Sequence, residues 1–600
     1  MVMWNADYRE STWNRLPNAI WDVVIIGGGI TGAGLLSEST RIGLRALLVE
    51  QRDFAWGTSS RSSKLVHGGL RYLKTGQVAL TRASVQGREQ LLAEGPGLID
   101  PLGFLLAQYE GDGAGRMIYG AGLTIYDLLA MQWSHRYYSS QDFQMMAPYI
   151  SSVGLRGGFH YQDAQTDDAR LVLRVIREAA ADGGTALNYA RAETLLFDEA
   201  GSLSGVRLRD MLDDRTTEIR ARVLINATGA WVDALREQVG QERRIRPLRG
   251  SHLIFPAWRF PVAQAVSFMH PMDGRPVFAF PWEGVTLVGT TDVDCPPPLD
   301  ADPAITPDEV AYLMAATVAH FPALDLSLDD VIATFAGIRP VIGSGKADPS
   351  DESRDHVIWQ ENGLLTVTGG KLTTFRQIAR QALEQICERL DGADSEEGKS
   401  RLARLHDDVP VLKAVDGDAP ELVALPEEMR RRLLGRYGVE AISLPAVALP
   451  GEMETIPGTS MLWAELRWSA RVEGVVHLDD LLLRRVRLGL LLPRGGSEWL
   501  PRVRAIVQPE LGWDDARWES EEAAYRTLIA ESYSLPEREA IPDWKALLRQ
   551  AQEAQLAADI ARREQLRDRG RLGGLLLLAA IVMLLVFGLW RRQRPSEEHA

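Results

Sequence analysis

DVVIIGGGITGAG, residues 22–34, is the stretch whose reading decides the fold. The unbroken apolar run Val23–Ile26 suits a parallel strand buried on both faces. Gly27, Gly29 and Gly32 follow at once in GxGxxG spacing, and the stretch beginning at Ile30 reads as a helix. Glycines there let the backbone approach a pyrophosphate, whose charge the positive end of the helix favours. LRALLVE then forms a second strand closed by Glu50. A carboxylate roughly twenty residues past the turn accepts ribose hydroxyls and disfavours a 2′-phosphate, which points to FAD or NAD rather than NADP.

Outward from this unit, RVLINATG carries a buried strand into Asn226-Ala227-Thr228-Gly229, and LLTVTGG leads into KLTTFRQIARQALEQICERL. Gly369 and Gly370 are expected to open a second helix N-terminus, whose partial positive charge suits a reduced flavin. Leu372, Phe375, Ile378, Ala379, Ala382 and Ile386 recur at helical spacing and mark one packed face. Short β-rich runs such as VRLRD, SHLIF, VFAFPW and VTLVGTTD fill the centre of the chain. The expected fold is α/β: a Rossmann-like two-dinucleotide-binding domain with an interleaved β-rich substrate domain over 21–390. An acidic boundary follows, then a helical C-terminal domain over 412–535 and a helical linker over 543–570. Residues 1–20 form an N-terminal extension in which Trp4 and Trp13 pack on the body or on lipid.

Composition narrows the function. With 600 residues and a formal net charge of -15, the chain exceeds one core and lacks the cationic surplus of a nucleic-acid surface. Its two cysteines, Cys295 and Cys387, stand in no metal-ligand spacing, so no metal site is expected. Near the end, LGGLLLLAAIVMLLVFGLW (572–590) offers nineteen residues without a charge, close to the ~20 a membrane-crossing helix needs. Arginines flank it on both sides, with the larger group upstream, so the expectation is a single-pass anchor in the cell membrane with the catalytic body in the cytoplasm.

Several segments taken together resemble the FAD-dependent glycerol-3-phosphate dehydrogenase family of the aerobic, quinone-linked type. They are DVVIIGGGITGAG, TSSRSSKLVHGGLRYL (58–73), FHYQDAQTDDARLVL, LINATGAWVD, RGSHLIF, LVGTTDVD, FAGIRPV and VTGGKLTTFR. LRWSARVEGVVHLDDLLLRRVRLGL is similar to the family's C-terminal helical domain.

The resemblance implies FAD as cofactor, held by Gly27, Gly29, Gly32, Glu50, Thr58, Ser59, Ser63, His67, Gly68, Gly229, Gly370, Leu372 and Thr373. It implies glycerol 3-phosphate as substrate, contacted by Arg71, Tyr72, His252, Arg339 and Lys371. Each of the three cations is expected in a glycine-containing turn. Arginine suits a dianionic phosphate because its guanidinium grips through paired hydrogen bonds. Oxidation needs a hydride acceptor and a base for the hydroxyl proton. His252 is the expected base and Arg339 an alternative stabiliser of the alkoxide. The expected electron acceptor is a membrane quinone at the lipid bilayer, and a homodimer is compatible with the sequence. The other readings are an oxidase using oxygen, a relative acting on an amine, and a membrane-anchored flavin-binding sensor without turnover.

Overall fold

The computed structural model describes residues 2–70, 77–111, 115–343, 345–346, 352, 355–391, 395–554 and 557. Two sheets and a helical domain make up the body. The first sheet runs in the strand order Val357–Glu361, Leu364–Thr368, Thr216–Asn226, Ile20–Ile26, Ala46–Val49, Thr185–Leu187. Its four inner pairings from Leu364–Thr368 to Thr185–Leu187 are parallel, with Val23 opposite Val223 and Ala46. Val23, Val24 and Ile25 are fully buried, as a central strand covered on both faces demands. Helices Ile30–Arg41, Asp168–Ala181 and Phe375–Asp391 cover one face. An antiparallel layer, Ala190–Phe197 with Leu203–Asp210, closes the other.

The second sheet has ten strands and is built mainly from antiparallel pairs. Strand Ile99–Tyr109 pairs along Leu155–Thr166, and Ile245–Pro256 pairs with Ala333–Ile342 from Ile245↔Ile342 to Ile254↔Ala333. The chain leaves the first sheet after Val49, returns for Thr185–Asn226, leaves for residues 245–342 and returns at Val357. The two sheets are thereby interleaved in sequence. The second sheet shares one hydrophobic core with the C-terminal helices, where Ile254 and Phe335 meet Trp463, Leu482, Val503 and Trp518.

Three segments refine the sequence reading. Of the N-terminal extension, residues 2–20 are described and pack on the body. Helix Ala6–Arg15 buries Trp13 beside Trp21, and Trp4 pairs with Glu473 of the helical domain. Within 391–411, where polarity suggested a boundary, helix Glu396–His406 is capped by Ser395 and buries Leu405 in the first core. The start of the linker is helical over 544–554, with Trp544 and Leu547 packed against the third core. No described helix is long and apolar enough to cross a membrane. The expected anchor, 572–590, lies outside the described residues.

Candidate active site

The glycine turn is shaped for a dinucleotide. Gly27 adopts φ +118°, and a Cβ there would lie 2.5 Å from the Ala227 carbonyl oxygen. A Cβ on Gly32 would sit 1.9 Å from the Gly27 carbonyl oxygen, so helix and turn touch backbone to backbone. Gly29 caps helix Ile30–Arg41 without a side-chain hydrogen bond of its own, and Ser59 Oγ accepts from the Ile30 N–H at 3.0 Å. The next N–H groups of that first turn are ones that a helix leaves without intrahelical acceptors, as a pyrophosphate site requires. Glu50 stands just past strand Ala46–Val49. Its carboxylate accepts from the N–H groups of Gly28 (2.7 Å) and Arg52 (2.9 Å), and burial raises its pKa. This turn, with no side chain to obstruct it and a carboxylate at its rim, fits the pyrophosphate and ribose of FAD.

Of the other cofactor candidates, Ser59 and Gly370 touch the first turn of helix Ile30–Arg41. Thr58 donates to the Ile338 carbonyl, next to Arg339 in sequence. Gly229 adopts φ +61°, and its carbonyl accepts from Thr368 Oγ1 at 3.1 Å. A Cβ on Gly370 would lie 3.9 Å from Thr31 Oγ1, which puts the second glycine turn against the first turn of helix Ile30–Arg41. Thr373 Oγ1 donates to the His67 carbonyl at 3.3 Å, and Leu372 packs on the first core. Gly369 and Gly370 do not open the helix directly. Lys371–Thr374 form a turn closed by the Thr374 N–H on the Lys371 carbonyl, and the helix begins at Phe375. Gly369 serves a turn at φ +80° and a close pass, since a Cβ there would lie 2.7 Å from the Asp355 carbonyl oxygen.

His252 lies on strand Ile245–Pro256 and is buried, 1% exposed. Its ring stacks on Phe335 (centroids 4.4 Å, planes 7° apart), and Nε2 is 2.9 Å from Ser63 Oγ. Nδ1 has no hydrogen-bond partner among the described residues. Burial, with Arg339 and Lys64 nearby, pushes its pKa well below the usual histidine value, so the ring is neutral at pH 7. Arg339 lies inside strand Ala333–Ile342 rather than in a turn. The stretch ATFAGIRPVI pairs along residues 245–254, and a Cβ on Gly337 would lie 2.3 Å from the Arg61 carbonyl oxygen. The guanidinium of Arg339 is held by Asp292 (2.8 Å), Thr290 Oγ1 (3.0 Å) and the Thr291 carbonyl (3.2 Å). Lys371 is half-buried in its turn. Arg71 and Tyr72 lie outside the described residues.

Sequence reasoning passed over the groups that hold this site in place. Lys64, fully buried at φ +56°, binds Asp168 Oδ1 and the Ser60 carbonyl, both at 3.0 Å, and lies over the rings of Trp282 and Phe335. Burial and Arg487 pull its pKa down to about 8. Asp168 also accepts from the Ser62 N–H (3.0 Å), Ser62 Oγ (2.7 Å) and Arg487 (2.9 Å). Asp163 accepts from the Gly68 N–H, Tyr126 OH and Arg88. The signal was present in FHYQDAQTDDARLVL and HLDDLLLRRVRLGL, two charged runs whose apolar neighbours already announced burial. In the structure they interlock: Arg487 pairs with Asp167 and Asp168, and Arg170 donates to the Arg485 carbonyl.

Comparison with known proteins agrees with this geometry. Residues 22–376 match the family model of FAD dependent oxidoreductases, and residues 384–518 match that of the C-terminal domain of alpha-glycerophosphate oxidase. The aerobic glycerol-3-phosphate dehydrogenase of Staphylococcus epidermidis is 36% identical over 493 residues, covering 80% of this chain and 88% of that one. Its counterpart in Staphylococcus aureus is 35% identical over the same length. Among solved structures, the glycerol-3-phosphate dehydrogenase of Bacillus halodurans complexed with FAD superimposes with a TM-score of 0.69 at 27% identity, covering 89% of this chain and all of that one. A glycine turn fit for a dinucleotide, two interleaved sheets, a helical C-terminal domain and this similarity along most of the chain establish that it belongs to the FAD-dependent glycerol-3-phosphate dehydrogenase family.

Proposed function

We propose that the protein oxidises glycerol 3-phosphate to dihydroxyacetone phosphate with FAD and passes the electrons to a membrane quinone. The observation that carries the chemistry is the contact of neutral His252 with Ser63, with Arg339 and Lys64 acting on the same ring. When bound, FAD would supply the two-electron acceptor for the C2 hydrogen. Arg71, Tyr72 and Lys371 would hold the substrate's phosphate and so orient C2 for that transfer. Arg339 stabilises the alkoxide that develops as the hydroxyl loses its proton, and the neutral imidazole is in the form that accepts one. The same cations that oppose an imidazolium favour an alkoxide, so the two roles divide between Arg339 and His252.

The choice of a membrane acceptor is supported by helix Arg116–Ala130. Met117, Ala121, Ile125, Leu128 and Ile118 fall within an arc of roughly 100° at helical spacing and are all exposed, Met117 by 86%. Met131 (92%) and Trp133 (71%) extend the apolar surface past the helix end. The opposite side buries Leu123, Tyr126 and Asp127. A helix that turns its apolar arc outward is suited to lie in a lipid interface, which would add to the anchor proposed for 572–590.

Anaerobic mixing with glycerol 3-phosphate tests the reading. Bleaching of the visible flavin band, reversed quickly by a soluble quinone analogue and slowly by air, is the expected result. Fast reversal by air with peroxide makes the protein an oxidase, and no bleaching removes glycerol 3-phosphate as substrate. Removal of residues 572–600 together with Ile125→Asp should abolish sedimentation with anionic vesicles. Persistent sedimentation would place membrane contact elsewhere.

A further inference from the structure

His252 is 1% exposed, and the side chain that bonds its Nε2, Ser63, is half-buried. With its ring stacked on Phe335 and its strand paired on both sides, the imidazole has Ser63 Oγ as its hydrogen-bonded polar neighbour among the described residues. The loop that carries Ser63 is tied down on either side of it. Asp168 accepts from the N–H and Oγ of Ser62 and from Lys64 Nζ. Ser62 Oγ accepts in turn from the Lys64 N–H at 3.0 Å. Asp168 is itself clamped by Arg487 of the helical domain, which also reaches the Ser60 carbonyl. Lys64, Asp168 and Arg487 are all fully buried, so these contacts are shielded from water and costly to break.

We propose that Ser63 relays the substrate's hydroxyl proton to His252, and that Asp168 is the positioning residue that keeps Ser63 in hydrogen-bonding contact with the ring. The step balances simply. The substrate O–H gives its proton to Ser63 Oγ, the Ser63 O–H proton passes to His252 Nε2, and the C2 hydride leaves to FAD. Arg339 on strand Ala333–Ile342 and Lys64 on the loop are the cations that act on the ring, and Phe335 and Gly289 face it without charge. The proposal rests on the reading of His252 given above and adds the route by which a buried imidazole reaches substrate.

A double-mutant cycle decides it, with the rate of flavin reduction measured by rapid mixing and normalised to bound FAD. Ser63→Ala is expected to lower the limiting rate about tenfold or more while the half-saturating substrate concentration and FAD content hold. Asp168→Asn is expected to lower the rate alone but to add little in the Ser63→Ala background, a pattern that a general loss of packing does not produce. Should Asp168→Asn yield no holoenzyme, Ser62→Ala takes its place in the cycle. It removes one loop contact and leaves Asp168 paired with Lys64 and Arg487. An unchanged limiting rate in Ser63→Ala, or strictly additive effects, overturns the relay while leaving His252 as base if His252→Gln remains slow. An unchanged rate in His252→Gln overturns both.

Discussion

The two sides of the site are built from opposite materials. The side proposed for the cofactor, at Gly27 and Gly32, is made of backbone brought so close that an added methyl group has no room. The side proposed for the substrate, His252 and Arg339 with Ser63 as the proposed relay, is made of side chains, each held by a further polar or aromatic partner. Shape alone recommends the first to its ligand, whereas the second depends on charges held in place by other charges. A backbone cradle is therefore damaged by adding atoms, and a charge-built site by removing them.

Substitutions separate these modes, and the largest effect is expected at Arg339. Arg339→Met should lower kcat/KM by about a thousandfold, because it removes the charge at the alkoxide together with the ion pair to Asp292. Retention of more than a tenth of wild-type kcat/KM would move alkoxide stabilisation elsewhere. His252→Gln should lower the limiting rate of flavin reduction by about a hundredfold with FAD still bound.

The same histidine marks stability. A ring whose folded pKa is depressed stays neutral while the unfolded chain takes up a proton below about pH 6.5. Stability is thus lost as pH falls through that value, at about 1 kcal/mol per pH unit from this group. The wild-type Tm should fall more steeply between pH 7 and pH 5 than that of His252→Gln, and parallel curves would refute the assignment.

On the backbone side the effects are smaller and of another kind. Gly32→Ala should weaken FAD binding roughly thirtyfold, from about 2 kcal/mol of overlap with the Gly27 carbonyl, with chemistry per bound flavin unchanged. Reconstitution titrations read this directly, and a normal affinity would show that the turn yields. Glu50→Gln should cost about 1 kcal/mol, near fivefold in FAD affinity, since a carboxamide keeps one acceptor for the Gly28 N–H. A loss as large as that of Gly32→Ala would mean that the charge, rather than the acceptor, is what the ribose needs.

This contrast also explains what was legible beforehand. The glycine turn, the buried strand Val23–Ile26 and the acid at Glu50 are local, and their spacing follows from one strand-to-helix crossover. The strand carrying His252 was readable for the same reason. Its contact with Ser63, 189 residues away, was not, because no periodicity links the two. Arg339 was expected in a turn since Gly337 precedes it by two, yet that glycine serves a close pass of the Arg61 backbone within a strand. The second glycine pair was read as a helix entry, and the interposed turn Lys371–Thr374 delays the helix to Phe375. Asp168 and Arg487 were in view as residue types, but only the folded chain shows that each is the other's counterion.

Trp4 gives the chain an unusual assembly schedule. Its N–H donates to the Val472 carbonyl, its carbonyl accepts from the Gly474 N–H, and its ring lies beside Phe54 and under the guanidinium of Arg177. Val472 and Gly474 lie more than four hundred residues from it in sequence, so these two hydrogen bonds form only after that whole stretch of chain has been made. Its docking closes a circuit between helix Ala6–Arg15 and the helical domain, which makes the seating of Trp4 one of the last events of folding.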